Sequence, residues 1–192
     1  MRVSRISGFF LLALLTSCGV PMDDGPSALT PVVDSQPSTT TTPDNPANFP
    51  NRLDQVVVVY LIRGEGLVGE TTFVRTGFDI NDLLNALISG PSATFIDLGA
   101  RSGLTQRVDL VKSVEIVDGF ADVSLSGSFN DLPGNEQTLI VGQLTLTFVA
   151  NLPINGVIFK QDGQVVAVPD ADGTPIIEPA SRINYVTLLT RP

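Results

Sequence analysis

The hydrophobic positions of this chain form a short apolar run at the start, a long stretch without any period, and strand-like and helix-like segments from residue 55 onward. Residues 55–62 are continuously apolar and rich in Val, which predicts a central strand buried on both faces. A turn at residues 63–66 leads into a second predicted strand at residues 67–75, where Thr, Phe and Val favour extended backbone. The ordered part of the chain therefore begins with two neighbouring strands.

The pattern then changes to a helical period. Apolar residues recur at spacings of three and four over residues 80–88, and Asp79 immediately before them is a suitable N-cap. Gly90, followed by a proline, ends the run. Residues 92–106 contain several helix breakers and predict a loop with a short turn.

Two hairpins are predicted from Asp-Gly pairs at Asp118 and Asp162, because Asp-Gly between extended segments is a strong hairpin signal. The paired strands are predicted at residues 108–117 with 120–125, and at residues 157–160 with 165–168.

Residues 135–152 are ambiguous by period alone. Leu144, Leu146 and Phe148 alternate with threonines, as in a strand. Val141, Leu144 and Phe148 also share one face of a helix. The length of the segment and its polar start favour a helix.

The N-terminus has the layout of a secretory signal peptide over residues 1–17, with Arg2 and Arg5 before a short apolar run. This run is too short to span a bilayer, which takes about 20 apolar residues. It leads into Leu-Thr-Ser-Cys-Gly at residues 15–19, which resembles the bacterial lipobox, where the leader is cut before a cysteine whose thiol carries a diacylglycerol. We therefore predict lipidation of Cys18 and an anchor at the extracytoplasmic face of the cell membrane; an ordinary cleaved leader is the alternative.

Residues 18–54 have the composition of a disordered tether. The segment has no hydrophobic period, contains seven prolines and includes the Thr-rich stretch 38–43. A flexible chain of this length reaches roughly 30–35 Å, so the domain beyond it would stand away from the membrane.

Charge and cysteine usage narrow the possible functions. Cleavage after residue 17 would remove Arg2 and Arg5 and take the formal net charge from −9 to −11. Such an acidic chain is unsuited to nucleic acid, which needs clustered Lys and Arg. Cys18 is the only cysteine, so no disulfide within the chain is expected.

Candidate chemistry is sparse. The chain has no histidine, which excludes nucleophile–histidine catalysis and leaves no suitable set of zinc ligands. Lys112 and Lys160, the only lysines, lie in predicted strands and are interpreted as exposed strand positions. Residues 170–173, Asp-Ala-Asp-Gly, hint at a calcium loop but lack its ligand spacing, and a turn is the better interpretation. No catalytic residue, metal or cofactor is predicted.

Four segments together resemble the Germane (GerMN) domain of spore-germination proteins and of many actinobacterial envelope lipoproteins. They are residues 57–61, 83–91, 121–126 and 157–163. The resemblance covers residues 55–168, and residues 180–185 are similar to the tail segment of the family. It implies a compact α+β domain, mainly an antiparallel twisted sheet with two helices packed on one face. It also implies an envelope setting and favours a helix at residues 135–152.

The chain is therefore predicted to contain a signal peptide at residues 1–17, a disordered tether at 18–54 and a Germane-like domain at 55–192, with a core at 55–168 and a tail at 169–192. The predicted function is a non-enzymatic, lipid-anchored module that binds peptidoglycan or an envelope protein. The alternative is a carboxylate-based hydrolase of wall glycan or peptide, which needs two facing acids about 5–10 Å apart in one cleft.

Overall fold

The computed structural model describes residues 54–191. The predicted signal peptide, the predicted lipidation site Cys18 and the predicted tether lie outside the described residues, except that Asp54 is the first residue of a strand and not the end of a disordered tether. Among residues 54–191, no helix is long and apolar enough to cross a membrane.

The described part of the chain is an α+β domain, which confirms the predicted fold class. Its strands are β1 (Asp54–Arg63), β2 (Gly66–Arg75), β3 (Ala100–Arg101), β4 (Val111–Val117), β5 (Phe120–Leu125), β6 (Val157–Gln161), β7 (Gln164–Val165), β8 (Val168–Pro169) and β9 (Pro175–Ile176). Its helices are α1 (Ile80–Ser89), α2 (Ala93–Asp97), α3 (Gly134–Asn151) and α4 (Arg182–Tyr185), with 3-10 turns at Gly127–Asp131 and Val186–Leu188.

The strands form three sheets, with the orders β2-β1-β3, β4-β5-β6-β7 and β8-β9. Every strand pair is antiparallel except β5 with β6, which is parallel. Parallel neighbours need a long crossover, and α3 supplies it between these two strands. The strand pairing is thus mainly antiparallel, as the family resemblance implies. The strands are divided among three sheets, however, and one pair is joined by a crossover.

Both predicted Asp-Gly turns are present. Asp118 and Gly119 have φ values of 52° and 80°, and Asp162 and Gly163 have 48° and 80°. Positive φ at both central residues is the signature of a type I′ turn, whose twist matches that of the flanking strands. The strand predicted at residues 165–168 is instead shared between β7 and β8.

Helix α1 confirms the predicted capping signal. Asp79 Oδ1 accepts hydrogen bonds from the backbone N–H groups of Asn81 and Asp82, at 2.8 and 3.1 Å. Asp82 Oδ2 in turn accepts from Asp79 N–H at 3.0 Å, which completes a capping box. The apolar face of the helix, including Leu83 and Leu87, is fully buried in the core.

Strand β1 is buried on both faces only in its second half, so the prediction for its first half is wrong. Residues 59–62 are buried, whereas Val56 is 57% exposed and pairs with Phe73, which is also exposed. Val57 and Val59 point to the opposite face from Val56 and are buried. The first half of β1 therefore packs on the core with one face, while the face that carries Val56 and Phe73 is open to solvent.

Residues 92–106, predicted as a loop with a short turn, contain the short helix α2 and the strand β3. The N-terminus of α2 is held by the buried Glu70 of β2, whose carboxylate accepts from Ser92 N–H at 3.2 and 3.3 Å. Phe95 of α2 packs against Leu61 and Val68 in a small satellite core. These contacts come from distant strands, so the local sequence does not reveal them.

The helix predicted at residues 135–152 is confirmed as α3, which ends at Asn151 with Leu152 as its C-cap. Over most of its length α3 is buried all round, including its polar residues Gln143, Thr145 and Thr147. Thr147 Oγ1 accepts from Tyr60 N–H at 3.0 Å. Asn151 binds both backbone polar groups of Val58. Helix α3 thus covers the edge of β1 that faces away from β2.

Candidate functional site

Two clefts flank the first turn of α3. We call the first the arginine cleft; it has a volume of about 660 Å³ and lies between the end of α1, the α2–β3 region and the start of α3. Its lining residues are Ser89, Gly90, Pro91, Ile96, Ala100, Arg101, Ser102, Thr105, Gln106, Arg107, Pro133, Asn135 and Glu136.

We call the second the hairpin cleft; it has a volume of about 600 Å³ and lies between the start of α3 and the β8–β9 hairpin. Its lining residues are Glu65, Gly134, Asn135, Gln137, Thr138, Leu139, Ala167, Val168, Pro169, Ala171, Asp172, Gly173, Pro175 and Leu188. The two clefts share Asn135 and differ in charge, because the arginine cleft carries two cations and one anion while the hairpin cleft carries two acids.

An ion cluster of Arg101, Arg107 and Glu136 forms the charged part of the arginine cleft. Arg101 donates to both Glu136 carboxylate oxygens, at 2.8 and 2.6 Å, in a bidentate pair. Arg107 Nη1 donates to Glu136 Oε1 and to the Gly103 carbonyl, each at 3.3 Å. Glu136 lies in the first turn of α3, where a negative charge also interacts favourably with the helix dipole.

The hydrogen bond from Arg101 holds the pKa of Glu136 below its usual value, with burial acting in the opposite direction and the charges of both arginines adding to the decrease. Glu136 is thus ionised at neutral pH. Its side chain is 13% exposed, whereas those of Arg101 and Arg107 are 48% and 40% exposed. The partly buried carboxylate therefore anchors two more exposed guanidinium groups, and the cluster keeps one net positive charge.

Apolar groups form another part of this lining. Ile96 is 58% exposed, and Pro91 and Pro133 also line the cleft. Gly90 has φ of 81°, and a Cβ at this position would lie 2.8 Å from Thr105 Oγ1. Glycine therefore lets the end of α1 approach the loop that carries Thr105. The arginine cleft combines cationic donors with an apolar surface, which suits an organic anion.

The two lysines are paired with acids. Lys112 donates to Asp162 at 3.3 Å, and both side chains are largely exposed. Lys160 pairs with the buried Asp122 and is itself only partly exposed, so its interpretation as an exposed strand position is wrong. The parallel pairing of β5 with β6 brings these two residues together.

Residues 170–173 form the predicted turn between β8 and β9. Asp170 Oδ1 accepts from the N–H groups of Asp172 and Thr174, at 3.0 and 2.8 Å. This carboxylate therefore stabilises the loop backbone. Within residues 54–191, no group of three or more His, Cys, Asp or Glu side chains is arranged to hold a metal ion.

The hairpin cleft contains the acids Glu65 and Asp172. Both side chains are exposed, and they lie on the β1–β2 and β8–β9 turns. Glycoside hydrolysis needs a carboxylic acid kept protonated by apolar surroundings beside an ionised one. Exposed turn positions do not provide two such different environments.

The residues of the arginine cleft were missed by the sequence reasoning. Arg101 lies in the segment predicted as a loop, Arg107 lies between that loop and the strand predicted from residue 108, and Glu136 belongs to the polar start of the helix predicted at residues 135–152. Arg101 and Glu136 are 35 positions apart, so no local spacing connects them. The turn predicted at residues 63–66, by contrast, is confirmed, with Gly64 and Glu65 lying between β1 and β2.

Comparison with known proteins identifies the family of the domain. The model of the Germane family, described as sporulation and spore germination, matches residues 58–167. The chain belongs to the Germane family. Every residue of the arginine cleft lies inside the matched range, whereas the hairpin cleft extends beyond it.

Two solved structures are similar to this Germane chain. One shows the tandem GerMN domains of the sporulation protein GerM from Bacillus subtilis, with 23% identity over 67% of this chain and 46% of that one, and a TM-score of 0.46. The other shows the first GerMN domain of the same protein, with 23% identity over 67% of this chain and 98% of that one, and a TM-score of 0.47. This Germane chain thus spans about half of the tandem structure. No curated protein matches it.

Proposed function

We propose that this Germane protein is a non-enzymatic binding module of a bacterial cell envelope. It is held at the extracytoplasmic face of the membrane through lipidated Cys18 and contacts peptidoglycan or another envelope protein. The lipobox-like residues 15–19 support the anchor, and the Pro- and Thr-rich residues 18–54 would let the domain reach away from the membrane. The family description, sporulation and spore germination, agrees with an envelope role.

The observation that carries the binding role is the arginine cleft. Residues 54–191 contain sixteen acidic and eight basic side chains, so the domain as a whole repels anions. Against this background, Arg101 and Arg107 line one cleft together and share a single carboxylate. A local positive charge in an acidic domain supports selective binding of an anionic group at this place.

A non-catalytic role is supported by the family, which is a non-enzymatic domain family. Of the two clefts described, the hairpin cleft is the one that contains two acids without a basic residue, Glu65 and Asp172. Their exposure argues against the unequal pair of carboxyl groups that such a reaction needs. We therefore prefer binding over hydrolysis.

The binding role is tested by retention. The mature full-length chain is incubated with purified peptidoglycan and, separately, with an immobilised extract of envelope proteins. We expect retention on one of the two, and recovery from neither would contradict the binding role.

The anchor is tested in cells by following membrane attachment. Replacing Cys18 with alanine should leave the protein unprocessed or released, because the thiol is the atom that carries the lipid. Thr40→Ala, a change in the predicted tether, is the control and should remain anchored. Mature, membrane-attached Cys18→Ala protein would refute the lipidation.

A further inference from the structure

The ion cluster of the arginine cleft has hydrogen-bonding capacity left over. A guanidinium group carries five N–H donors. Within the described residues, Arg101 uses two of them on Glu136, and Arg107 uses the Nη1 group on Glu136 and Gly103. The two side chains are about half exposed at the cleft. Donors and one uncompensated positive charge are therefore available to a ligand.

The shape of this donor set favours a planar monoanion. The guanidinium fork matches a carboxylate, and Arg101 already holds the Glu136 carboxylate in this way. One net positive charge balances one carboxylate. The exposed Ile96 and the two prolines of the lining would contact an apolar group attached to that carboxylate.

We infer that the arginine cleft binds the free C-terminal carboxylate of a peptide, with Arg101 and Arg107 as the binding residues and Ile96 against the last side chain. This inference rests on the proposed binding function and names the ligand of the same site. Glu136 is a positioning residue, because it holds both guanidinium groups at the cleft. The same carboxylate chemistry is offered by the peptides of the wall polymer and by the tail of an envelope protein.

The test is calorimetric titration of the full mature chain, with Cys18→Ser to remove the anchor. The ligand is an N-acetylated tripeptide ending in alanine, compared with the same peptide as its C-terminal amide. We expect the acid to bind at least about tenfold more tightly than the amide, because a charge-assisted hydrogen bond is lost in the amide. This comparison uses one protein and does not depend on how a variant folds.

The variants Arg101→Gln and Arg107→Gln should each weaken binding of the acid about tenfold. Arg75→Gln is the matched control, since Arg75 is also an exposed arginine in an ion pair, with Asp82 at 3.1 Å, and lies outside the cleft. It should bind the acid as the parent chain does. Equal loss in the control and in the cleft variants would overturn the assignment.

Other outcomes would contradict a peptide carboxylate as the ligand. Equal affinity for acid and amide, no binding of either, or inorganic phosphate bound as tightly as the acid would each exclude a peptide carboxylate at this cleft. If the tripeptide fails while the chain is still retained on wall or envelope protein, the inference fails and the binding function stands. If nothing retains the chain, the function itself fails.

Two retention experiments distinguish a wall peptide from a protein tail as the source of the carboxylate. Retention on peptidoglycan that is lost after the wall peptides are removed assigns the ligand to the wall. Retention on envelope proteins that is lost after carboxypeptidase treatment assigns it to a protein tail. In both arms Arg101→Gln should lower retention and Arg75→Gln should not; an equal response of the two variants would overturn the inference.

Discussion

Asn151 of α3 binds Val58 of β1 as a neighbouring strand would. Its Oδ1 accepts from Val58 N–H at 2.9 Å, and its Nδ2 donates to the Val58 carbonyl at 2.8 Å. Tyr60, the next residue facing this side, donates its N–H to Thr147. Side chains of a helix therefore complete the part of the β1 edge that β3 is too short to reach.

Replacing Asn151 with leucine should lower the free energy of unfolding by about 2 kcal/mol or more, because two partly buried backbone groups lose their partner. The measurement is urea unfolding followed by circular dichroism. Asn81→Leu, at an exposed position of α1, is the control and should change stability by no more than about 0.5 kcal/mol. Equal effects of the two substitutions would show that the Val58 pairing contributes nothing.

Replacing Gly103 with alanine should destabilise the domain by about 1–3 kcal/mol through overpacking. A Cβ at this position would lie 2.4 Å from Ile140 Cγ1 and 3.2 Å from Ile62 Cδ1, in the fully buried core. Gly127→Ala is the matched control, since a Cβ there meets nothing within 4 Å. Thermal unfolding of both variants checks the difference, and an unchanged midpoint for Gly103→Ala would contradict the packing.

The contribution of Glu136 to stability should depend on pH. Arg101 lowers the pKa of Glu136 in the folded state, so the stabilisation is fully present above its unfolded pKa of about 4.5 and is lost as pH falls through the folded pKa. The difference in unfolding free energy between the parent chain and Glu136→Gln should therefore be constant near neutral pH and shrink at acidic pH. Glu65→Gln, at an exposed turn, is the control. A difference for Glu136→Gln that stays the same from pH 7 to pH 3 would argue against the ion cluster.

Tyr185 should make the domain sensitive to alkali. Its side chain is fully buried, and its hydroxyl donates to the Pro169 carbonyl at 2.9 Å. Burial, with the nearby charge of Asp170, raises the pKa of Tyr185 above its usual value of 10.0. The stability that the neutral phenol contributes is present below pH 10 and is lost as pH rises through the folded pKa.

We therefore expect the parent chain to lose more stability between pH 9 and pH 11 than Tyr185→Phe does, measured by chemical unfolding at each pH. At neutral pH Tyr185→Phe should cost about 1 kcal/mol for the lost hydrogen bond. Parallel alkaline curves for the two proteins would contradict the burial of an ionisable phenol.

Most of the elements could be predicted because their signals are local. The capping box at Asp79 and the two Asp-Gly turns depend on residues within four positions of one another. The boundaries of the β1–β2 hairpin and of α1 follow from the same kind of pattern. The predictions are wrong where contacts with a distant part of the chain decide the exposure of a residue. Examples are the exposed start of β1 and the pairing of Lys160 with Asp122.

By itself, the sequence determined the turns and the caps of α1, because turn residues and caps act over a few positions. It also indicated the family and, through that resemblance, the α+β class. Only the tertiary structure decided what the polar face of α3 does and where the arginine cleft lies. Thr147 and Asn151 look like surface residues until a strand edge is placed against them. Arg101 and Glu136 become one site only when the chain between them folds back, since hydrogen bonding depends on distance in space and not on separation along the chain.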